Sequence, residues 1–191
     1  MSRHPHVPPD HDAEITTLFA GKWLTLKSRG RWEFVERNSR GGAVIIVAVT
    51  PEDRVLFVEQ FRMAINAYTI EMPAGLVGDL AHASDEDFEQ AACRELIEET
   101  GYACARIVHL HSGPSSAGMS TEMMHFVRAL DLRRVGEGGG DDTENIVVHE
   151  VPRDRAGEWL YNKAAEGYSI DPKLFAGLWF LEHAGQHREL P

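Results

Sequence analysis

The sequence predicts an α+β fold built on a mixed β-sheet. Two observations support this class: β-rich segments lie before and after a single central helix, and two further helices end the chain. Strands and helices do not alternate regularly, so a repeated βαβ array with a purely parallel sheet is not predicted. The predicted strands lie at 22–27, 31–37, 43–50, 54–62, 68–75, 104–112, 123–131 and 146–151, and the predicted helices at 85–100, 153–166 and 172–184.

The strand predictions rest on alternation and on β-forming residues. "KWLTLK" (22–27) and "RWEFVER" (31–37) alternate apolar and polar side chains, and "SRG" between them can turn, which predicts a hairpin. "AVIIVAVT" (43–50) and "RVLFVEQFR" (54–62) are rich in β-branched and aromatic residues and are joined by the turn-like "PED". "YTIEMPAG" (68–75) predicts a further strand that ends at proline and glycine.

The helix predictions rest on signals at the helix ends. Ser84 is a good N-cap with Asp87 at the third helical position, close to a capping box. Gly101 fits the left-handed residue that closes helices. The last helix is expected to open with Asp171 as N-cap and Pro172 at the first helical position. The buried stripe predicted for the first helix consists of Phe88, Ala91, Ala92 and Leu96.

The composition is that of an ordinary globular protein with one domain and a small appendage. The 191 residues are 43% hydrophobic and 26% charged, and we expect a loose tail over 1–20, the hairpin over 21–40 and the main domain over 41–191. The longest apolar run, at 43–49, is far too short to span a membrane, and the N-terminus lacks the apolar core of a signal peptide. Two cysteines suggest no disulfide framework, so a reduced, cytoplasmic setting is expected.

The formal net charge of −11 restricts the partners of this protein. An acidic surface repels the phosphates of DNA and RNA, so a general nucleic-acid binder is not expected. The same surface repels a small phosphate-containing substrate. If the substrate is anionic, the site must therefore supply positive charge through metal ions or arginines.

Three glutamates gather near the end of the central predicted helix. Glu95, Glu98 and Glu99 are three or four residues apart, so their carboxylates can project toward one side. They lie in the last turns, where the helix dipole disfavours anions. One interpretation is a solvated acidic face with Arg94 as a partial partner. The other is a divalent-cation site, because hard cations such as Mg²⁺ prefer carboxylate oxygens and bridge them to substrate phosphates.

The wider stretch "EMPAGLVGDLAHASDEDFEQAACRELIEETGY" resembles the signature sequence of the Nudix hydrolases. That pattern is a glycine, five residues, a glutamate, seven residues and then R-E-apolar-x-E-E-x-G-apolar. Seven residues separate Glu86 from Arg94, and the second half matches in register through Tyr102. Ten residues separate Gly75 from Glu86, where the pattern has five. An insertion in the surface loop before the helix accounts for the difference.

The resemblance implies a Nudix-type α/β/α sandwich with a mixed sheet and an added N-terminal hairpin. It also implies a metal-dependent hydrolase that binds two or three Mg²⁺ ions, with Mn²⁺ as the alternative. Arg94 would orient the glutamates. The implied metal ligands are Glu95, Glu98, Glu99, Glu144 and the backbone carbonyl of Ala74.

Outside the signature, the chain looks most like the branch that cleaves ADP-ribose and related nucleoside diphosphate sugars. In relatives of this branch, tryptophans matching Trp23 and Trp32 sandwich the adenine, one from each subunit of a homodimer. Alternatively, both are aromatics of the core or of the hairpin face. Arg37 matches a substrate-binding arginine. Arg62, in "VEQFR", would reach the phosphate or ribose of the substrate, with a surface salt bridge as the alternative.

Two loops complete the resemblance. In "GPSSAGMSTEMMHFVRA", Gly118, Met119 and Glu122 fall on positions that contact substrate or line the site in relatives. In "GGGDDTENIVVHEV", Glu144 falls on a metal ligand, and Asp142 falls near the water-activating carboxylate of some members. The alternatives are an ordinary connection for the first segment and a flexible turn for the second.

The implied reaction is hydrolysis of the pyrophosphate bond of ADP-ribose or a related sugar nucleotide, giving AMP and a sugar phosphate. The implied general base stays open among Glu98, Asp142, Glu144 and Glu122. Within the enzyme class, the alternative substrates are GDP-mannose, another nucleoside diphosphate sugar or a dinucleotide. In a different class, the alternative is a catalytically inactive module that senses ADP-ribose and regulates a partner.

Overall fold

The computed structural model describes residues 7–39, 41–78, 87–140 and 145–183. The predicted order is confirmed: strands, one helix, further strands and two helices. The strands are β1 (Ile15–Ala20), β2 (Leu24–Arg29), β3 (Trp32–Arg37), β4 (Ala43–Ala48), β5 (Arg54–Arg62), β6 (Ala67–Glu71), β7 (Ala74–Leu76), β8 (Tyr102–Ala103), β9 (Arg106–Pro114), β10 (Met123–Leu130), β11 (Arg133–Arg134), β12 (Val147–Pro152) and β13 (Ser169–Ile170). The helices are α1 (Phe88–Thr100), α2 (Ala156–Ala165) and α3 (Lys173–Glu182), with short 3-10 turns at Pro9–Asp12 and Arg153–Arg155.

Two four-stranded sheets form the middle layer of an α/β/α sandwich. Their strand orders are β7-β4-β10-β9 and β12-β5-β6-β13. Both are mixed, because β10 runs parallel to β4 and β13 parallel to β6 while the other neighbours are antiparallel. Val44 and Ile46 of β4 pack in the core beneath α1, whereas Ile45 and Val47 pack in the core that includes α2 and α3. This alternation confirms the predicted sandwich, since successive side chains of a strand point to opposite faces.

The N-terminal hairpin is part of a three-stranded sheet in the order β1-β2-β3. Residues 15–20, which the sequence analysis placed in a loose tail, form β1 and pair antiparallel with β2. All six residues of β1 are exposed, so the strand lacks the buried alternation that would have revealed it. On the other edge of β3, Val35 donates its N–H to the Met119 carbonyl and accepts a hydrogen bond from the Thr121 N–H. The loop before β10 is thereby fixed to this sheet.

Helix α1 begins later than predicted. Its N-cap is Asp87, whose carboxylate accepts the N–H groups of Glu89 and Gln90, while the Gln90 side chain accepts the N–H of Asp87. The predicted start at 85 is wrong because Asp87 has an extended backbone and a complete capping box of its own. Ser84, Asp85 and Glu86 lie outside the described residues. Gly101 closes the helix with a φ of 73°, as predicted.

Several other boundaries differ from the sequence prediction; for example, the strand predicted at 104–112 is observed at Arg106–Pro114. The strand predicted over 68–75 is divided into β6 and β7, because Pro73 lacks an N–H and only its carbonyl joins the sheet, accepting the Ile46 N–H. Helix α2 starts at Ala156 and α3 at Lys173, so both are shorter than expected. Pro172 takes the N-cap position predicted for Asp171, whose carboxylate still accepts the Lys173 N–H. Over the described ranges, no helix has the length and apolar character needed to cross a membrane.

Candidate active site

A cleft of about 690 Å³ collects side chains from both sheets, from α1 and from the start of α3. Six residues singled out by the sequence analysis line this one cleft, although they come from five separate segments of the chain. Its charged lining is a mixture of carboxylates and cations, which suits an anionic ligand better than a purely acidic groove would. The six residues are Arg37, Arg62, Ala74, Glu95, Glu99 and Glu122.

Two carboxylates of α1 form a buried part of this cleft. Glu99 is 2% exposed and Glu95 is 9% exposed, so the interpretation of a solvated acidic face does not describe them. The Ala74 N–H donates to Oε2 of Glu99 over 3.0 Å. Burying two carboxylates side by side is costly unless cations or hydrogen-bond donors compensate. Nearby positive charge would therefore stabilise these two buried carboxylates.

Gly75 brings the backbone of β7 directly against Glu95. The strand is fixed by pairing with β4, in which Val44 faces Gly75. A Cβ atom added to Gly75 would lie 2.0 Å from Cδ of Glu95, far inside van der Waals contact. A side chain at this position would therefore displace the Glu95 carboxylate, and glycine lets the "PAG" segment lie directly against it.

Arg94 binds both Glu95 and Glu98. Its Nη1 donates to Oε1 of Glu95 over 2.8 Å and to Oε2 of Glu98 over 3.1 Å. Its Nη2 donates to the Leu76 carbonyl over 3.4 Å. These contacts are the ones expected of a residue that orients the glutamates. Within the described part of the chain, no group of three or more histidine, cysteine, aspartate or glutamate side chains converges as a ready-made metal site.

The glycine run at 138–140 caps the C-terminal end of α1. Gly139 donates its N–H to the Glu99 carbonyl over 2.9 Å, and Gly140 donates to the Glu98 carbonyl over 3.0 Å. All three glycines have positive φ angles, which other residues adopt with strain. The segment is therefore a fixed cap up to Gly140, and it leads the chain toward Asp142 and Glu144. Those two predicted residues lie outside the described residues.

We expect Gly138→Ala to destabilise the protein. The new Cβ would lie 2.5 Å from the Thr100 carbonyl carbon and 2.6 Å from the Glu99 carbonyl oxygen, and the φ of +74° is itself strained. Strain of this kind costs about 1–3 kcal/mol, and the contact with backbone adds to it. Urea denaturation measures the loss. Gly157→Ala in α2 is the matched control, since no atom lies within 4 Å of its added Cβ; an equal loss in both variants would contradict the cap.

Arg62 is held in the cleft by Glu71, a residue that the sequence analysis did not single out. Its Nε and Nη2 donate to the two carboxylate oxygens of Glu71 over 2.6 and 2.8 Å. Glu71 is 5% exposed and also accepts a hydrogen bond from Thr69. Burial alone would raise the pKa of Glu71, but the hydrogen bonds from Arg62 and Thr69, with the charges of Arg62 and Lys173, lower it below its ordinary value. The sequence signal for Glu71 was a carboxylate within a predicted strand, at the position where β6 ends.

Two further pairs complete the charged lining. Arg37, at the end of β3, donates from Nε to Oε1 of Glu122 over 2.7 Å. Lys173 forms an ion pair with Asp171 at the start of α3, and both line the cleft. Among the described residues, three cationic side chains line the cleft, and each is paired with a carboxylate.

Among the predicted residues that the structure describes, six are absent from the lining of this cleft: Trp23, Trp32, Arg94, Glu98, Gly118 and Met119. Trp32 and Gly118 line a second cavity of about 640 Å³ on the N-terminal sheet. Trp23 is 68% exposed and Trp32 55% exposed, so neither is a core aromatic. Lys22 lies over the ring of Trp23 and Arg31 over that of Trp32. Met119 is exposed, and its carbonyl accepts a hydrogen bond from the Val35 N–H.

The structure thus places buried carboxylates and arginines in one cleft of an α/β/α sandwich. Residues 39–174 match the NUDIX domain family. The chain therefore belongs to the Nudix hydrolases, as its signature sequence predicted, and enzymes of this family generally use divalent metal ions.

The chain is similar to several named proteins. It is 34% identical over 141 residues to an ADP-ribose pyrophosphatase of Bacillus subtilis, covering 70% of this chain and 74% of that one. It is 33% identical over 166 residues to a GDP-mannose pyrophosphatase of Klebsiella pneumoniae, covering 82% and 77%. It is 33% identical over 123 residues to a methanol dehydrogenase activator of Bacillus methanolicus, spanning 64% of each chain. A crystal structure of an ADP compounds hydrolase has the same fold, with a TM-score of 0.68, 20% identity and coverage of 92% and 94%.

Proposed function

We propose that the protein hydrolyses the pyrophosphate bond of ADP-ribose or a related nucleoside diphosphate sugar, giving AMP and a sugar phosphate. The observation that supports this most is the cleft itself, where the buried Glu95 and Glu99 share one space with Arg37 and Arg62. On a chain of net charge −11, the two guanidinium groups suit the negative charge of a diphosphate, and metal ions bound by the carboxylates would supply further positive charge. The relatives named for ADP-ribose and GDP-mannose support the same substrate class.

The described side chains do not converge as a finished metal site, but their chemistry suits a hard divalent cation. Glu95, Glu98, Glu99 and the Ala74 carbonyl would hold Mg²⁺, or alternatively Mn²⁺, because their donors are all oxygens and two of the carboxylates are buried beside the tightly fitting Gly75. We propose two or three ions per site, with Glu144 as a further ligand. Bound ions would neutralise the diphosphate and acidify a water molecule.

The protein side chains position the substrate and accept the proton. Arg37 and Arg62 bind the phosphate oxygens through forked hydrogen bonds, and Glu122 and Glu71 hold the two guanidinium groups in place. Glu122 is engaged with Arg37, as Glu98 is with Arg94. We propose that the proton acceptor is one of Glu98, Asp142, Glu144 and Glu122.

Glu71→Gln tests the role of Arg62 in substrate binding. Glutamine keeps the shape but loses one acceptor oxygen and the charge, so the guanidinium loses its fixed orientation. We expect KM for the diphosphate substrate to rise about tenfold with a smaller change in kcat, and stability to fall by about 1–2 kcal/mol because Arg62 is partly solvent-screened. Glu158→Gln, which alters an exposed pair with Arg155 on α2, should change neither quantity. An unchanged KM in Glu71→Gln would remove Arg62 from the proposed site.

The same variant has a defined pH dependence. Because the pKa of Glu71 is lowered in the folded protein, its carboxylate contributes stability above the unfolded-state pKa. That contribution is lost as the pH falls through the lower, folded-state pKa. The difference in unfolding free energy between the wild type and Glu71→Gln should therefore be constant near neutral pH and shrink in acid. Urea titrations across that range measure it, and a difference that grows in acid would contradict the assignment.

A substrate panel tests the proposed function. ADP-ribose, other ADP-sugars, GDP-mannose and NADH are incubated with Mg²⁺ in isotopically labelled water, and the products are identified by mass spectrometry. We expect AMP and ribose phosphate from ADP-ribose, with the label in one product identifying the phosphorus attacked. Preferential cleavage of GDP-mannose would favour the alternative substrate. Tight binding of ADP-ribose without turnover would instead favour a sensing module.

We further propose that the protein is a homodimer in which Trp23 and Trp32 stack on the nucleobase. Both indoles are exposed, and neither lines the cleft of its own chain. The N-terminal sheet also exposes Ile15, Leu18, Phe19 and Leu24, an apolar surface typical of an interface. Sedimentation equilibrium should give twice the mass of the chain. A monomer at catalytic concentrations would contradict a site shared between subunits.

A further inference from the structure

A pair of thiols lies beside α1 and has no part in the proposed reaction. Cys93 belongs to α1, and Cys104 follows directly after β8. Their Sγ atoms are 3.5 Å apart, and both residues are partly exposed. A disulfide bond is about 2.05 Å long, so the two sulfur atoms need to approach by only about 1.5 Å. We propose that Cys93 and Cys104 are a modification site, at which a peroxide forms a reversible intramolecular disulfide.

The fold holds the two thiols together from both sides. Cys93 is carried by the hydrogen-bonded middle of α1, which ends at the left-handed Gly101. Cys104 follows a strand that pairs with β11, so its backbone is also fixed. Both side chains pack against the same hydrophobic core beneath α1. The short distance is therefore a consequence of two anchored elements, and it does not depend on a chance encounter of mobile side chains.

The chemistry balances with a peroxide as the only oxidant. The peroxide transfers one oxygen atom to the Cys93 thiol, forming a sulfenic acid and releasing one water. The Cys104 sulfur then attacks the Cys93 sulfur, the S–O bond breaks, and a second water leaves with the proton of Cys104. Burial and then the hydrogen bond with Cys93 raise the pKa of Cys104 to about 12, so Cys104 gives up its proton as it attacks. The products are the same if the two thiols exchange roles.

The bond would tie the middle of α1 to the strand that follows it. Closing this short loop restricts the unfolded chain, so oxidation should raise Tm by about 5 °C. The link starts one residue before Arg94, which holds Glu95 and Glu98. The modification therefore lies next to the proposed metal-binding helix, although the proposal does not depend on catalysis.

The test uses the full chain treated with hydrogen peroxide and analysed by intact mass. We expect the loss of two hydrogen atoms and of both alkylatable thiols, at a rate independent of protein concentration, with full reversal by a dithiol reductant. A peptide map should show residues 93 and 104 cross-linked. Cys93→Ser and Cys104→Ser are the controls and should not lose the two hydrogens. A gain of oxygen atoms without a cross-link would overturn the proposal. So would covalent dimers that the wild type forms as readily as the single-cysteine controls do.

Discussion

Replacing Glu99 by glutamine is expected to lower turnover of the diphosphate substrate on the order of 10²- to 10³-fold without unfolding the protein. Glu99 is almost completely buried, and its Oε2 accepts the Ala74 N–H. Glutamine keeps the volume and this hydrogen bond, but it removes a negative charge that helps to hold a divalent cation. The measurement is kcat with saturating Mg²⁺, accompanied by a circular dichroism spectrum and a melting curve.

The matched control for this prediction lies on the same helix. Glu89 is an exposed glutamate in the first turn of α1, and Glu89→Gln should retain wild-type turnover. The turnover of Glu98→Gln is expected to fall as that of Glu99→Gln does. The reason is that the carboxylates of Glu98 and Glu95 both bind the guanidinium of Arg94. Full activity in both Glu98→Gln and Glu99→Gln would exclude the carboxylates of α1 from the reaction.

Gly75→Ala is expected to impair the site by a steric effect alone. The added Cβ would overlap the carboxyl group of Glu95, which must then move away from Arg94. Because the displaced atoms are the end of a side chain, we expect a moderate loss of stability of about 1–3 kcal/mol. The loss of activity should be larger, on the order of 10²-fold, since misplacing a reacting group by about 1 Å has effects of that size.

A comparison of kcat and unfolding free energy separates these two effects. Gly157→Ala serves again as the control, because its Cβ meets nothing within 4 Å, and it should leave kcat unchanged. If Gly75→Ala retained full kcat, the "PAG" segment would be only a structural turn, and the proposed seat for Glu95 would be wrong.

The local features of the fold were predictable because they depend on neighbouring residues. The β-forming run of β4, the glycine that closes α1 and the order of the elements all follow from patterns within a few residues. The start of α1 was misplaced because two adjacent capping signals compete in this segment, at Ser84 and Asp87, and sequence does not rank them. Strand β1 was missed because exposed strands carry no burial pattern.

The long-range partners of the site could not be read from the sequence. Arg37 and Glu122 are 85 residues apart and meet only because the loop before β10 attaches to the edge of β3. Glu71 orients Arg62 across two antiparallel strands, so its role depends on their register. The glycine run at 138–140 has the composition of a flexible turn, yet its N–H groups cap α1. Each contact depends on tertiary geometry that local propensity does not encode.

The most direct test is phosphorus NMR of ADP-ribose hydrolysis by the purified protein, with and without Mg²⁺. The diphosphate signals should give way to two phosphate monoester signals when Mg²⁺ is present, and conversion should stop when a chelator is added. Glu99→Gln should leave the diphosphate signals in place under the same conditions. Conversion that continues undiminished in chelator, or that proceeds equally well in Glu99→Gln, would contradict a metal-dependent reaction at the carboxylates of α1.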